Sequence, residues 1–312
     1  MRRIRFVCAQ PAIRYYAWQV EVMLNNFIEM GVNPNNIDIV SKIEDNVPDE
    51  WARLANGYSA RFFFYRDTRP TSNYISSIRP NILKQHWQQH PYLENDAIFY
   101  NDCDIAFTRP VTNWIEPHMV IDENWYGSDV RWYIAHSYIL GKGQDVLEAM
   151  CRIVNIDQAL VEQNELNCIG AQYLMKNITY RFWDQVERDC ERLFKDITDL
   201  NRQKKQDDPS HHELQIWCAD MWALLWNAWK SGNKTICHPG MNFSWGTSTE
   251  DEYNSCNIFH NAGVTGSDTN LFYKALWMNE LPYNQNIIVN PGTASQKYYD
   301  LIQKVGRKSV LL

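Results

Sequence analysis

Over the first 110 positions, short apolar runs alternate with longer amphipathic stretches. IRFVCA (4–9), IDIVSKI (37–43) and ARFFFYRD (60–67) are brief and bounded by polar or turn residues, and each predicts a strand. Between the first two, residues 15–30 carry Trp18, Val22 and Phe27 near helical spacing and stop at Gly31 and Asn33-Pro34. PDEWARLANGY predicts a short helix begun at Pro48, and SSIRPNILKQHWQQH a helix opened around Pro80. DAIFYNDCDIAF (96–107) reads as a fourth strand. Strands and helices in alternation imply a parallel, doubly wound sheet, so the expected class is α/β with a mostly parallel central sheet flanked by helices.

Beyond Arg109-Pro110 the rhythm loosens. WYGSDVRWYIAHSYI is strand-like, DVLEAMCRIVNIDQALVEQ helical, GAQYLMKN a short strand and TYRFWDQVERDCERLFKDITDL a helix. LNRQKKQDDPSHHEL is polar and predicts an exposed or mobile loop, and WCADMWALLWNAWKSG predicts a Trp-rich helix ending at Gly232. From Thr235 the chain is rich in turn residues and shows few clear elements. No internal repeat or low-complexity linker is present.

The fourth apolar run poses a problem. Asp102 and Asp104 stand two residues apart within FYNDCDIAF. Charge removed from water is costly unless paired or bound to a metal. In an extended strand, positions i and i+2 share a face, so the two carboxylates would repel. A hard divalent cation would resolve this, because Mg²⁺ or Mn²⁺ takes oxygen ligands. The place agrees: ligands of doubly wound sheets sit beyond the carboxyl ends of the strands.

Composition narrows the partners. The chain has 312 residues, which suits one large or two closely joined domains. Its net charge is −7, and residues 101–232 carry 13 basic against 21 acidic side chains, so strong non-specific nucleic-acid binding is not indicated. The 13 Trp and 17 Tyr mildly favour a sugar or nucleotide ligand. MRRIRFVCAQP lacks a signal peptide's apolar region, and no run reaches the roughly 18 apolar residues of a membrane span. Eight cysteines without C-x-x-C pairs read as reduced core thiols in a cytoplasmic setting, the host cytoplasm for a viral chain. The sequons at Asn177, Asn233 and Asn242 then carry no meaning.

YNDCDIAF resembles the D-x-D strand of metal-dependent, nucleotide-sugar glycosyltransferases with the GT-A fold. The order of later segments is similar to the family of glycogenin and the lipopolysaccharide galactosyltransferases. GAQYLMKN leads into TYRFWDQ with its early Trp, WCADMWALL opens a helix, HPGMNFSW follows, and IFHNAG matches a His-x-x-Gly motif. SSIRPNILKQHW and GAQYLMK also resemble plant hydroxyproline arabinosyltransferases and serine galactosyltransferases. The resemblance covers most of the chain through short motifs.

The resemblance implies a Rossmann-type, GT-A-like single domain. Residues 1–110 would form the nucleotide-sugar-binding half and 111–312 a less regular acceptor half. It makes His260 the third metal ligand beside Asp102 and Asp104, and an imidazole with two carboxylates suits Mn²⁺ better than Mg²⁺. Arg79 and Gln10 would meet the nucleotide, and Asp129, Gln172 and Asp220 the reacting sugar, with Trp217 or Trp222 as an apolar face for a pyranose ring. A UDP-sugar donor and retention of anomeric configuration are also implied. One departure stands out: the family's diphosphate lysine, close after the glycine, is absent, and GVTGSDTNLFYK reaches a lysine only at Lys274. The acceptor stays open among a glycan, a protein and a hydroxymethylated DNA base. Two rivals remain: a metal-dependent phosphohydrolase or nuclease using the same Asp pair, and a sugar-binding module without turnover. His211-His212-Glu213 sits in too polar a setting for a metal site, and Cys237-His238 lacks a partner for a thiol nucleophile.

Overall fold

A computed structural model describes residues 2–312. Its strands are β1 (Ile4–Pro11), β2 (Ile37–Ile43), β3 (Arg61–Arg66), β4 (Ala97–Asn101), β5 (Ile105–Phe107), β6 (Trp125–Asp129), β7 (Ile169–Met175), β8 (Thr235–Cys237), β9 (Phe243–Trp245) and β10 (Ile258–His260). The larger sheet has the order β3-β2-β1-β4-β7-β6-β8, and a second, three-stranded sheet the order β5-β10-β9. The class is α/β, as the alternation predicts. The chain divides into two compact units.

The first unit comprises Arg3–Arg66, Phe99–Val120 and Pro239–Leu312. Here β1, β2 and β3 pair in parallel, with Phe6 opposite Ile37 and Asp38 opposite Arg61. The helix Arg14–Glu29 buries Trp18, Val22 and Phe27. Phe27 stacks on Phe107 at 4.1 Å and 6°, and Phe6 and Phe99 pack against the same pair. This aromatic core lies directly under β5. The C-terminal part is more regular than its turn content predicts. Ala294–Gly306 is a helix, capped by the Thr293 hydroxyl and buried through Tyr298, Ile302 and Val305. That spacing is helical and was legible; the surrounding glycines and prolines obscured it.

The expected fourth strand is in fact two. β4 ends at Asn101 and β5 begins at Ile105, and they belong to different sheets. Asp102 and Asp104 therefore lie in the turn that joins them. One neighbouring and one distant bond hold the turn: Asn101 donates its side-chain amide to the Asp102 carbonyl at 2.8 Å, and Asp104 offers its own carbonyl to Asn261 N–H at 2.9 Å. The argument from a shared strand face does not apply to a turn. The repulsion it described persists for another reason, given below.

The second unit comprises Arg2, Asp67–Ile98 and Ile121–His238. Its 28-residue helix Tyr180–Asp207 packs on the helices Ile78–Gln89 and Ala219–Lys230. The helix runs into the stretch expected to be a loop. Nothing between Leu200 and Asp207 breaks it, and Arg202–Asp199 and Lys204–Asp145 ion pairs hold its exposed end. WYGSDVRWYIAHSYI is strand only over β6, and the helices Arg131–Ile134 and His136–Leu140 follow. The 145–163 stretch is two helices divided at Asn155, whose φ is 55°. β6 pairs antiparallel with β7, and the register slips between Gly127 and Ser128, opposite Ala171 at φ 64° and Gln172. Gly127 permits the approach: a Cβ there would lie 2.7 Å from Ile169 Cβ.

Candidate metal centre

Three chain segments meet at one point of the first unit. β5 and β10 pair antiparallel, with Ile105 opposite His260, and β9 runs parallel to β10, with Trp245 opposite His260. This pairing carries His260 to the D-x-D turn across more than 150 residues of sequence. His260 Nε2 lies 3.3 Å from Asp104 Oδ1 and 3.6 Å from Asp102 Oδ2. One ligand atom from each of the three residues falls within 4.8 Å of the others, so one ion could bind all three. The Trp245 ring lies nearly parallel to the imidazole, at 6.4 Å and 15°.

The electrostatics explain how two carboxylates coexist there. Asp104 is buried, with 6% of its side chain exposed, whereas Asp102 keeps 33%. Burial pushes the Asp104 carboxyl up, but Lys274 and then His260 outweigh it and hold it well below the usual carboxylate range. Lys274 Nζ donates to Asp104 Oδ2. Burial alone would lower the Lys274 ammonium, and Asp104 reverses this and raises it. A lysine thus supplies the positive charge that the acid pair demands. Its short helix, Lys274–Trp277, is anchored where the Trp277 carbonyl accepts the Trp18 indole N–H at 3.2 Å.

The donor set fits a divalent cation. Two carboxylates and an imidazole supply hard and borderline ligands, and the buried His260 Nδ1 has no hydrogen-bond partner among the described residues. Sequence reasoning joined Asp102, Asp104 and His260 only through a family resemblance, and missed Lys274 on Asp104. No local signal could have found it, because the two residues stand 170 positions apart.

The other expected residues have definite surroundings. Gln10, at the end of β1 and 2% exposed, accepts from Cys8 Sγ and donates to Ser41 Oγ at 3.0 Å. In the second unit, Arg79 donates to Asp220 Oδ2 at 2.6 Å, and Tyr74 O–H lies 2.6 Å from Asp220 Oδ1 and 2.5 Å from the Trp217 carbonyl. Burial first, then Asp220, raises the Tyr74 hydroxyl far above its usual range. Asp129 holds Arg131 through two contacts of 2.9 and 2.6 Å, and these bonds keep its carboxyl below the ordinary value. Gln172 is buried and donates to Ser128 Oγ at 2.7 Å. Trp222 is fully buried, with its indole N–H on the Ile134 carbonyl, so it offers no ring face. Trp217 is 62% exposed. All eight cysteines are free thiols, six of them buried. No helix among the described residues is long and apolar enough to cross a membrane.

No protein-family profile matches the chain, and no curated protein sequence matches it. Solved structures do. A structure of the bifunctional glycosyltransferase WbbM without ligands aligns with 99% of this chain at 11% identity and a TM-score of 0.51. The chain spans 50% of the length of that protein. The galactosyltransferase LgtC, solved with donor and acceptor sugar analogues, aligns over 97% of this chain and 95% of its own at 10% identity and a TM-score of 0.40. Mouse xyloside xylosyltransferase 1 aligns over 85% and 99% at 9% identity and 0.43. The WbbM match shows that the two chains share a fold, in line with the α/β architecture described above.

Proposed function

We propose that this chain transfers a sugar from a nucleotide-diphosphate sugar, with UDP favoured, to an acceptor hydroxyl. The observation that carries the reading is the convergence of Asp102, Asp104 and His260 at the end of β4 and β10. The fold shared with WbbM supports it, as do the short motifs of the nucleotide-sugar glycosyltransferases. Asp102, Asp104 and His260 would hold Mn²⁺ in preference to Mg²⁺. That ion, when bound, would act as a Lewis acid on the leaving diphosphate. Gln10 and Arg79 serve the nucleotide. Asp129 and Asp220 orient the sugar, Asp220 held in place by Arg79 and Tyr74, and the buried Gln172 supports them through its bond to Ser128. The anomeric configuration is retained.

The test is a screen of nucleotide sugars for binding and slow hydrolysis with Mn²⁺, followed by anomer-resolved NMR on the best donor. A UDP-sugar should bind, release UDP only with the metal, and give the retained anomer first. Cleavage of a simple phosphodiester with no action on any nucleotide sugar would replace this reading with a phosphohydrolase.

A further inference from the structure

Of the 13 tryptophans, only Trp132 (67%) and Trp217 (62%) are exposed, and both lie on one tyrosine. Trp132 meets the Tyr133 ring edge-on at 4.5 Å, and Trp217 lies nearly parallel to it at 6.5 Å and 17°. Tyr133 itself is buried. A folded chain places indoles in its core where it can, and this one buries most of its own. Two left outward on a shared support form an aromatic patch of the kind that marks a binding surface. The patch is held firmly. The Trp217 carbonyl accepts from Tyr74, which also meets Asp220, and the Tyr133 carbonyl accepts from Gln215 at 3.4 Å.

We infer that Trp132 and Trp217, supported by Tyr133, form a binding platform for a neutral carbohydrate. Three features select that ligand. A pyranose ring presents a C–H face to an indole and neutral hydroxyls at its edge, so it needs no net charge from the protein. A nucleic acid would also stack, but its phosphates need uncommitted cations. The guanidinium next to Trp132 is committed: Arg131 pairs with Asp129 at 2.6 Å. The surrounding stretch 101–232 is acidic, with 13 basic against 21 acidic side chains, which suits an uncharged ligand.

The test is saturation-transfer NMR on the whole chain without donor or metal. The probes are methyl glycosides of glucose, galactose, xylose and N-acetylglucosamine, with the β1,4- and α1,4-linked glucose disaccharides and a thymidine octanucleotide. At least one sugar should receive saturation at its ring protons. Trp217→Ala and Trp132→Ala should each weaken that binding about tenfold or more, while Trp217→Phe and Trp132→Phe, which keep a flat face, should stay within about threefold of the native chain. The proposal is overturned if no sugar binds at millimolar concentration. It is equally overturned if binding survives both alanine variants, or if only the oligonucleotide responds to them. Because this measurement uses neither nucleotide sugar nor Mn²⁺, its failure is separate from failure of donor hydrolysis by the native chain.

Discussion

Asp104 and Asp220 invite comparison. Each is a mostly shielded carboxylate, with 6% and 15% of its side chain exposed, and each is bonded to a cation. Around Asp220 the charges close. One oxygen takes Arg79 and the other Tyr74, while nearby Glu191 gathers the N–H groups of Asn73 and Tyr74 with the Thr71 and Ser77 hydroxyls. Around Asp104 the arrangement differs. Asp102, Asp104 and His260 offer ligand atoms within 4.8 Å of one another, with Lys274 on Asp104. A satisfied network fixes geometry, whereas an acid-rich cluster retains an appetite for a further cation. The contrast separates a cluster able to take a further cation from a carboxylate already oriented by its own partners.

The largest expected effects fall on the acid-rich side. Asp102→Asn and Asp104→Asn should each lower metal-dependent turnover by about 10³-fold or more, equivalent to about 4 kcal/mol of transition-state stabilisation. The melting temperature of the metal-free Asp102→Asn chain should hold or rise, since one of two like charges is gone. Near-normal turnover in both variants would end the comparison. Next comes Asp220→Asn, which should lower kcat by about 10²-fold while the donor KM changes little, as expected for a group acting mainly in the transition state. If the melting temperature falls and kcat does not, the Asp220 network is scaffold alone, and the contrast with Asp104 becomes sharper.

The sequence displayed much of this architecture and less of its joints. β2 was readable to the residue and β1, β3 and β7 nearly so, because apolar runs bounded by turn signals name a strand without tertiary help. The D-x-D turn was hidden, because Asn101 and Asn261 bend the backbone through contacts that no local pattern announces. The long helix beyond Leu200 was misread for the opposite reason: polarity resembles a loop, but ion pairs at helical spacing and Asp145 on another helix sustain it. At the centre itself, Asp102 and Asp104 were visible by spacing. His260 needed a family likeness, and Lys274 needed the fold.

Lys274 gives a finer probe of the comparison. Its ammonium neutralises Asp104 in the absence of metal, so a divalent ion must take that carboxylate from it. Lys274→Met should therefore raise the affinity for Mn²⁺ alone by about tenfold, about 1.4 kcal/mol. Titration calorimetry without nucleotide measures this directly. Equal or weaker Mn²⁺ binding by the variant would mean that the lysine helps to form the centre rather than occupying it.

The smallest effect is a pH dependence, and its sign follows from the two shifts. Asp104 is depressed in the folded chain, after its burial is outweighed by Lys274 and His260. Its contribution to stability is present above the unfolded value of about 3.9 and is lost as pH falls towards the folded one. Lys274 is raised, because Asp104 outweighs its burial. Its contribution is present below about 10.4 and is lost as pH rises through the folded value. The metal-free native chain should then exceed Lys274→Met in melting temperature by a constant margin from about pH 5 to 9. Because 28% of the lysine side chain is exposed, solvent screening limits that margin to about 1 kcal/mol, or about 2–4 °C. The margin should narrow below about pH 4 and above about pH 10, where one partner loses its charge in the unfolded or the folded state. A margin that stays flat across the whole range would show that packing of the lysine stem, and not its charge on Asp104, is what the substitution removes.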